Sequence, residues 1–388
     1  MNNYFRDTLN DSQKSKINFF IAMLSVRDDY LQNMHLPKTV CLAVEGATDR
    51  DFFTDYCNRI PQPKYDFLVD IPKHYPTILH YVIRQNAETD DNCDLDVCLL
   101  CEAYLEKKDD LDCLEVIGII DKDFLLEEDD HYSELSNVYR TDTNDLETLM
   151  MATNPDCLFS AIAFGVIPNL TLLEAKTKFI DKAMIAATSA YRLSLLNGLE
   201  NDLQNDKSGL ESLRSFNVAL FFKGARENYK EAISQDDADL IHSWVDSGAY
   251  SKYFQNAVGD QKTFSQEDAD ALVDEIRFLL KKKEYSFGLD SYGKWKDASS
   301  LNGLCFSLTS PLNERIEFWS LCRGHSFIQF FKKTSAEIEA EFPYPQNNEL
   351  DRNLEFAMIH AYDMSSNWSL FSQTELGSTI LSLVERPA

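Results

Sequence analysis

The sequence predicts an α/β fold, with a parallel sheet and interleaved helices over residues 37–155 and a larger, mainly helical region over 156–388. Three observations carry this reading. Two short apolar runs, 39–44 and 115–120, are rich in β-branched residues and end abruptly in carboxylates. Runs of that length and texture read as strands covered on both faces, as in a parallel sheet. Strand and helix patterns alternate as far as Pro155, beyond which long helical periodicities take over.

Residues 1–36 form an N-terminal helical segment, with an apolar face over 15–24, and Pro37 separates it from the first strand. Strand 39–44 leads into Glu45-Gly46-Ala47-Thr48-Asp49, where Gly46 permits a tight exit and Thr48 suits the N-cap of a helix starting near Asp49. That helix continues over 51–60 with Phe52, Phe53 and Tyr56 on one side, closed by Pro61 and Pro63. A second strand over 65–71 and a helix over 77–85 follow. The acidic stretch 86–114 holds Cys93, Cys98, Cys101 and Cys113. Cys98 and Cys101 have the gap of a zinc knuckle, but Leu95, Val97, Leu99, Leu100, Tyr104 and Leu105 surround them at helical spacing, which suits buried thiols better.

The strand ending at Ile120 opens into Asp121-Lys122-Asp123, and the acidic loop 127–130 reads as a solvated turn. A fourth strand over 137–143 precedes a helix that stops near Asn154-Pro155. Further on, helical spacing marks 172–199 (ended by Asn197-Gly198 or soon after), 236–246, 266–283, 313–323, 325–340 and most of 350–385.

The composition bounds the function. The chain has 388 residues, enough for two or three domains, and no run approaches the roughly 20 apolar residues of a membrane span. The first residues lack the basic start and apolar core of a signal peptide, and nine scattered cysteines suit a reducing compartment, so a cytoplasmic location is expected. A formal charge of −27 argues against generic nucleic-acid binding by the whole surface. The charge is uneven: 88–130 carries seventeen acidic residues against three basic ones, whereas Lys281, Lys282, Lys283, Lys294 and Lys296 tip 281–296 the other way. A nucleic-acid partner would therefore meet a local patch.

Chemistry concentrates at the strand ends. Asp121 and Asp123 stand two apart, so in extended backbone both carboxylates face the same way and can share one hard cation, Mg²⁺ first and Mn²⁺ as its substitute. If the strands ending at Val44 and Ile120 are neighbours, Glu45 joins them, and three crowded carboxylates repel unless a cation sits among them. Aspartates after a strand also cap helices and form turns, the competing explanation for each alone. Glu147 is either a further ligand or the partner of Asn144 in a capping box, and Asp142 and Asp145 share that ambiguity. Arg323 and His325, flanking Gly324, could contact phosphate or simply pack, and Lys281–Lys283 could do the same or favour a helix end. No Gly-x-Ser-x-Gly elbow, Walker A loop or dinucleotide fingerprint is present.

Val44-Glu45-Gly46-Ala47-Thr48-Asp49, Ile119-Ile120-Asp121-Lys122-Asp123 and Asp142-Thr143-Asn144-Asp145-Leu146-Glu147 together resemble the bacterial Toprim-like nucleases related to OLD-type nucleases. Their order, with the later Arg323-Gly324-His325, is similar to the AriB-type nuclease effectors of PARIS anti-phage defence systems. The motifs cover 38–155 and return at 323–331. The resemblance implies a Toprim-like Rossmannoid sheet over 37–155, with 323–331 returning to its site. It implies Glu45 as metal ligand or general acid/base, Asp121 and Asp123 as Mg²⁺ ligands, and Glu147 beside them. It also implies a nucleic-acid substrate (tRNA for the closer relatives, DNA for OLD-type cousins), an ABC- or AAA-type ATPase partner that holds and releases the nuclease, and a homodimer in the active state. The competing expectation is a catalytically silent Toprim-like module that binds a partner protein or senses a phage product, which the acidic charge favours. A DNA-mimicking inhibitor ranks last, because it leaves the strand-end carboxylates without a purpose.

Overall fold

The computed structural model describes residues 9–61, 63, 65–72, 93–122, 135–167, 170–205, 305–320, 322–335, 349–364 and 368–384. The expected helices at 77–85, 236–246 and 266–283 and the loop 127–130 lie outside these residues. The chain divides into two compact units, one of Met1–Gly165 with Arg352–Ala388, the other of Val166–Asp351.

In the first unit the elements run α1 (Asp11–Asn33), β1 (Thr39–Ala43), α2 (Ala47–Arg59), β2 (Asp66–Asp70), α3 (Cys93–Lys107), β3 (Leu114–Ile120), β4 (Val138–Arg140), α4 (Leu146–Thr153) and α5 (Cys157–Ala161). The four strands form one all-parallel sheet in the order β2-β1-β3-β4, a Rossmann-like α/β arrangement. β1 and β3 are direct neighbours with Ala43 opposite Gly118, so their carboxyl ends lie side by side.

Alternation along the strands explains the layers. Cys41 and Ala43 of β1 and Val116 and Ile120 of β3 join a core with Ile17, Phe20 and Leu24 of α1 and Val97, Leu100 and Cys101 of α3. The even positions of β1, Val40 and Leu42, are also fully buried, as expected for strands covered on both faces. Each large apolar side chain so enclosed contributes about 1.5–3 kcal/mol. Cys98 and Cys101 sit on α3 as buried thiols, in accord with the helical spacing around them. Gly118 is required by the approach of α3: a Cβ there would meet Cys101 Sγ at 2.7 Å and Val97 Cγ1 at 2.8 Å.

The C-terminal part of this unit folds as α9 (Glu349–Met364, entered from the second unit), α10 (Trp368–Phe371) and α11 (Glu375–Val384). It meets α2 through rings. Phe52 packs against Tyr362, Trp368 and Phe371, and Tyr56 stacks on Trp368. Tyr56 donates its hydroxyl to the Gly377 carbonyl at 3.1 Å, and Arg59 forms an ion pair with Asp363. Near the end of α4, Thr153 Oγ1 and the Tyr362 hydroxyl are 2.7 Å apart.

Three local expectations are corrected. The N-cap of α2 is Gly46 rather than Thr48: the Gly46 N–H donates to Asp49 Oδ2 at 2.9 Å, and the helix begins at Ala47. The N-cap of α4 is Asp145 rather than Asn144, with Thr148 as its reciprocal partner, so Glu147 is not used in a capping box. The fourth strand covers only Val138–Arg140 because Thr141 Oγ1 donates to the Thr143 carbonyl and Thr143 Oγ1 to that of Asp145, hydroxyl turns that replace the ladder.

The second unit contains α6 (Leu172–Asn205), α7 (Leu312–Ser320) and α8 (Gly324–Thr334). Helix α6 continues through Asn197-Gly198 as far as Asn205; one glycine costs a helix only about 1 kcal/mol. Ala183, Ala186, Ala187 and Ala190 are buried on α6, and α8 packs against this helix, with Phe331 edge-on to Phe179.

Candidate functional site

The sheet order reverses direction between β1 and β3, because the chain leaves β1 for β2 on one side and returns to β3 on the other. In open parallel sheets, the crevice beyond the carboxyl ends at such a reversal is where ligands bind. Glu45 follows β1 and Asp121 follows β3 at this point. They are joined directly, since the Asp121 N–H donates to Glu45 Oε1 at 2.7 Å. That bond fixes the orientation of the Glu45 carboxylate with backbone from the neighbouring strand.

From the other side, the exit of β4 is tied to the exit of β3. The Lys122 N–H donates to Thr141 Oγ1 at 3.1 Å, and the Thr141 N–H to the Ile120 carbonyl at 3.1 Å. The turn then runs through Thr143 and Asn144 to the cap of α4. Asp145 accepts the Thr148 N–H at 3.0 Å and the Thr148 hydroxyl at 2.7 Å. This places Asp145 and Glu147, both buried carboxylates, at the start of a helix beside the strand ends.

Electrostatics bind these residues into one group. The carboxyl group of Asp121 is held well above the usual carboxylate range, first by burial and then by the negative charges of Glu45, Asp49, Asp145 and Glu147. Five carboxylates, from just beyond the ends of β1 and β3, from the first turn of α2 and from the start of α4, thus share a neighbourhood. Asn144 lies within the same turn, fully buried, with neither its carboxamide oxygen nor its nitrogen bonded among the described residues. A buried carboxamide left unpaired costs about 1–3 kcal/mol per group.

All the donors here are oxygens, the chemistry that Mg²⁺ and Mn²⁺ prefer. Among the described residues, no three His, Cys, Asp or Glu side chains already converge on one point as a closed metal-ligand set. The group is assembled around Asp121 at the longer range of charge repulsion, and cation binding would require it to contract.

The expected residues separate accordingly. Glu45, Asp121 and Glu147 come together. Asp123 and Lys281, Lys282 and Lys283 lie outside the described residues. Arg323 and His325 are exposed at the start of α8, in the second unit. Asp142 faces elsewhere: its oxygens accept the N–H groups of Glu375 at 2.6 Å and Leu376 at 3.0 Å. Asp49, read in sequence only as a helix start, is an additional member. An acidic residue in the first helical turn after a strand that ends in Glu45 was the signal that could have found it. Comparison of the chain with protein-family models, with curated proteins and with solved structures gives no match.

Proposed function

We propose that this chain is a Mg²⁺-dependent nuclease of Toprim-like type, cleaving a phosphodiester in nucleic acid, and acting as a defence effector controlled by an ATPase partner. The observation that carries the catalytic part is the Asp121 neighbourhood: four other carboxylates raise its proton affinity at the β1–β3 reversal of a parallel sheet. So dense a cluster of like charge has a purpose if a divalent cation neutralises it. The defence setting, the ATPase partner and the preference for tRNA over DNA rest on the resemblance of the three motifs.

Asp121, with Asp123, Asp145 and Glu147, would hold the cation. When bound, the metal supplies Lewis-acid stabilisation of the charge developing at phosphorus and acidifies an attacking water. Glu45 is suited to receive that water's proton, because its carboxylate is oriented by the Asp121 N–H rather than swinging freely. Asp121 exchanges its own proton for the cation, so activity should rise with pH through the raised Asp121 value. Lys281–Lys283, Arg323 and His325 are the proposed phosphate contacts.

The net charge of −27 favours one second reading, a silent module that binds a basic partner. The two readings separate in one assay. Wild type, Glu45→Ala and Asp121→Ala are incubated with a tRNA pool and with duplex DNA, with Mg²⁺ or with chelator, and each is expressed in cells to score growth arrest. The nuclease reading expects metal-dependent cleavage and toxicity in the wild type and neither in the variants. Cleavage retained by both variants would overturn the assignment of the site, and a wild type that neither cleaves with Mg²⁺ nor arrests growth would favour the silent module.

A further inference from the structure

The Asp142 carboxylate lies in the turn that carries the Asp145–Glu147 end of the site, yet it is spent on another part of the chain. Its Oδ1 accepts the Glu375 N–H at 2.6 Å and its Oδ2 the Leu376 N–H at 3.0 Å. These are the first two residues of α11, where unpaired N–H groups and the helix dipole both favour an anion. Thr374 supplies the local cap, its hydroxyl accepting the Gly377 N–H at 3.0 Å. Asp142 is therefore a second, long-range cap.

The same C-terminal segment grips the two other pieces that frame the site. Tyr56 of α2, the helix that carries Asp49, donates to the Gly377 carbonyl, and Thr153 at the far end of α4 meets the Tyr362 hydroxyl. Helix α4 is thus bracketed, by Asp142 just before it and by Thr153 at its last residue. The turn between Asp142 and the helix is itself stitched by Thr141, Thr143 and Thr148 hydroxyls. A shift of Asp142 would pass directly to Asp145 and Glu147.

From this geometry we propose that Asp142 is a positioning residue: by clamping the 141–145 turn to the first turn of α11, it sets how far Asp145 and Glu147 stand from Asp121. The inference rests on the reading of the carboxylate group as a metal site. Asp142 itself does not touch the cation or the reacting atoms. It fixes the spacing between two halves of the ligand set that come from different strands, and metal sites lose affinity when such supporting bonds are removed, typically by about 10- to 100-fold.

The test attacks the clamp from both ends. Asp142→Ala removes both acceptors. Glu375→Pro removes one donor while leaving Asp142 intact, and proline is well accepted at the first residue of a helix. Asp142→Asn discards the charge but keeps one acceptor oxygen. Mn²⁺ affinity is measured by calorimetry, and amide hydrogen exchange is followed at Lys122 and Thr148, with thermal unfolding as the check on the fold. The expected result is an affinity loss of about tenfold or more in Asp142→Ala, a smaller loss in Glu375→Pro, and substantial recovery in Asp142→Asn, with exchange at Thr148 accelerated in step. Wild-type affinity and wild-type exchange in both Asp142→Ala and Glu375→Pro would reduce Asp142 to a helix cap. Equal losses in Asp142→Asn and Asp142→Ala, with exchange unchanged, would make its charge a ligand and also overturn the proposal. If the wild type binds no Mn²⁺, the metal reading fails, and exchange at Thr148 alone decides whether the clamp holds the turn.

Discussion

Gly118→Ala probes the scaffold directly beneath the site, three residues before Asp121. The added methyl would lie 2.7 Å from Cys101 Sγ, 2.8 Å from Val97 Cγ1 and 3.3 Å from Val138 Cγ2. Neither of the two close neighbours can swing aside: both side chains are short, fully buried and mounted on α3, which is itself packed between α1 and the sheet. Either α3 lifts or β3 bends, and overpacking of this kind costs about 1–3 kcal/mol. With two contacts far inside van der Waals distance, we expect the upper half of that range, or a fall in unfolding temperature of roughly 4–12 °C if each kcal/mol is worth about 2–4 °C. The assay is thermal and urea unfolding of the wild type, Gly118→Ala, Cys101→Ala and the double variant. Removing Cys101 Sγ clears one of the two obstacles, so the double variant should be more stable than the sum of the single effects predicts, by about 0.5 kcal/mol or more. Strict additivity, or a Gly118→Ala protein as stable as the wild type, would refute the close approach of α3 to β3.

Other perturbations have equally definite outcomes. Because burial and neighbouring carboxylates raise the Asp121 value, the folded chain binds that proton more tightly than the unfolded chain, and the resulting stability is complete below about pH 4 and is lost as pH rises through the raised value. Asp121→Asn, which cannot ionise, should therefore unfold at a higher temperature than the wild type at neutral pH without added metal, with the advantage disappearing in acid; a less stable variant at neutral pH would contradict the clustering of charge. Asp28 is a buried carboxylate at the C-terminal part of α1 that accepts the N–H groups of Cys113 at 2.7 Å and Asp112 at 3.2 Å, just before β3. Asp28→Ala should lower stability by about 1–3 kcal/mol, read as a lower urea midpoint at constant slope, and no change would show that water replaces it. Saturating Mn²⁺, at about 100 times its dissociation constant, should stabilise the wild type by about 2.7 kcal/mol in a calorimetric scan and leave Glu45→Ala/Asp121→Ala unaffected.

The parts of the fold legible in the sequence are those fixed by local physics. β1 and β3 announce themselves because strands covered on both faces must be apolar at successive positions, and the carboxylates after Val44 and Ile120 mark where that cover ends. Nothing in either run specifies its neighbour, so the pairing of β1 with β3 and the order β2-β1-β3-β4 are visible only in the folded chain. Cap positions lie one or two residues from where the sequence points. Thr48 looked a better cap than Gly46, but the Asp49 side chain reaches back to the Gly46 N–H and moves the start of α2. The role of Asp142 could not be read at all, because its partners Glu375 and Leu376 are more than two hundred residues away in the chain. Asp49 was hidden by its ordinary place in a helical first turn; only the adjacency of β1 and β3 brings it near Asp121.

Calorimetric titration of Mg²⁺ and Mn²⁺ into the wild type and into Asp121→Ala decides whether the carboxylates at the ends of β1 and β3 bind a divalent cation. Saturable binding to the wild type, strengthening as pH rises, is expected, with its loss in a variant whose circular dichroism and thermal transition show an intact fold. Binding of equal strength to both proteins, or to neither, would contradict it.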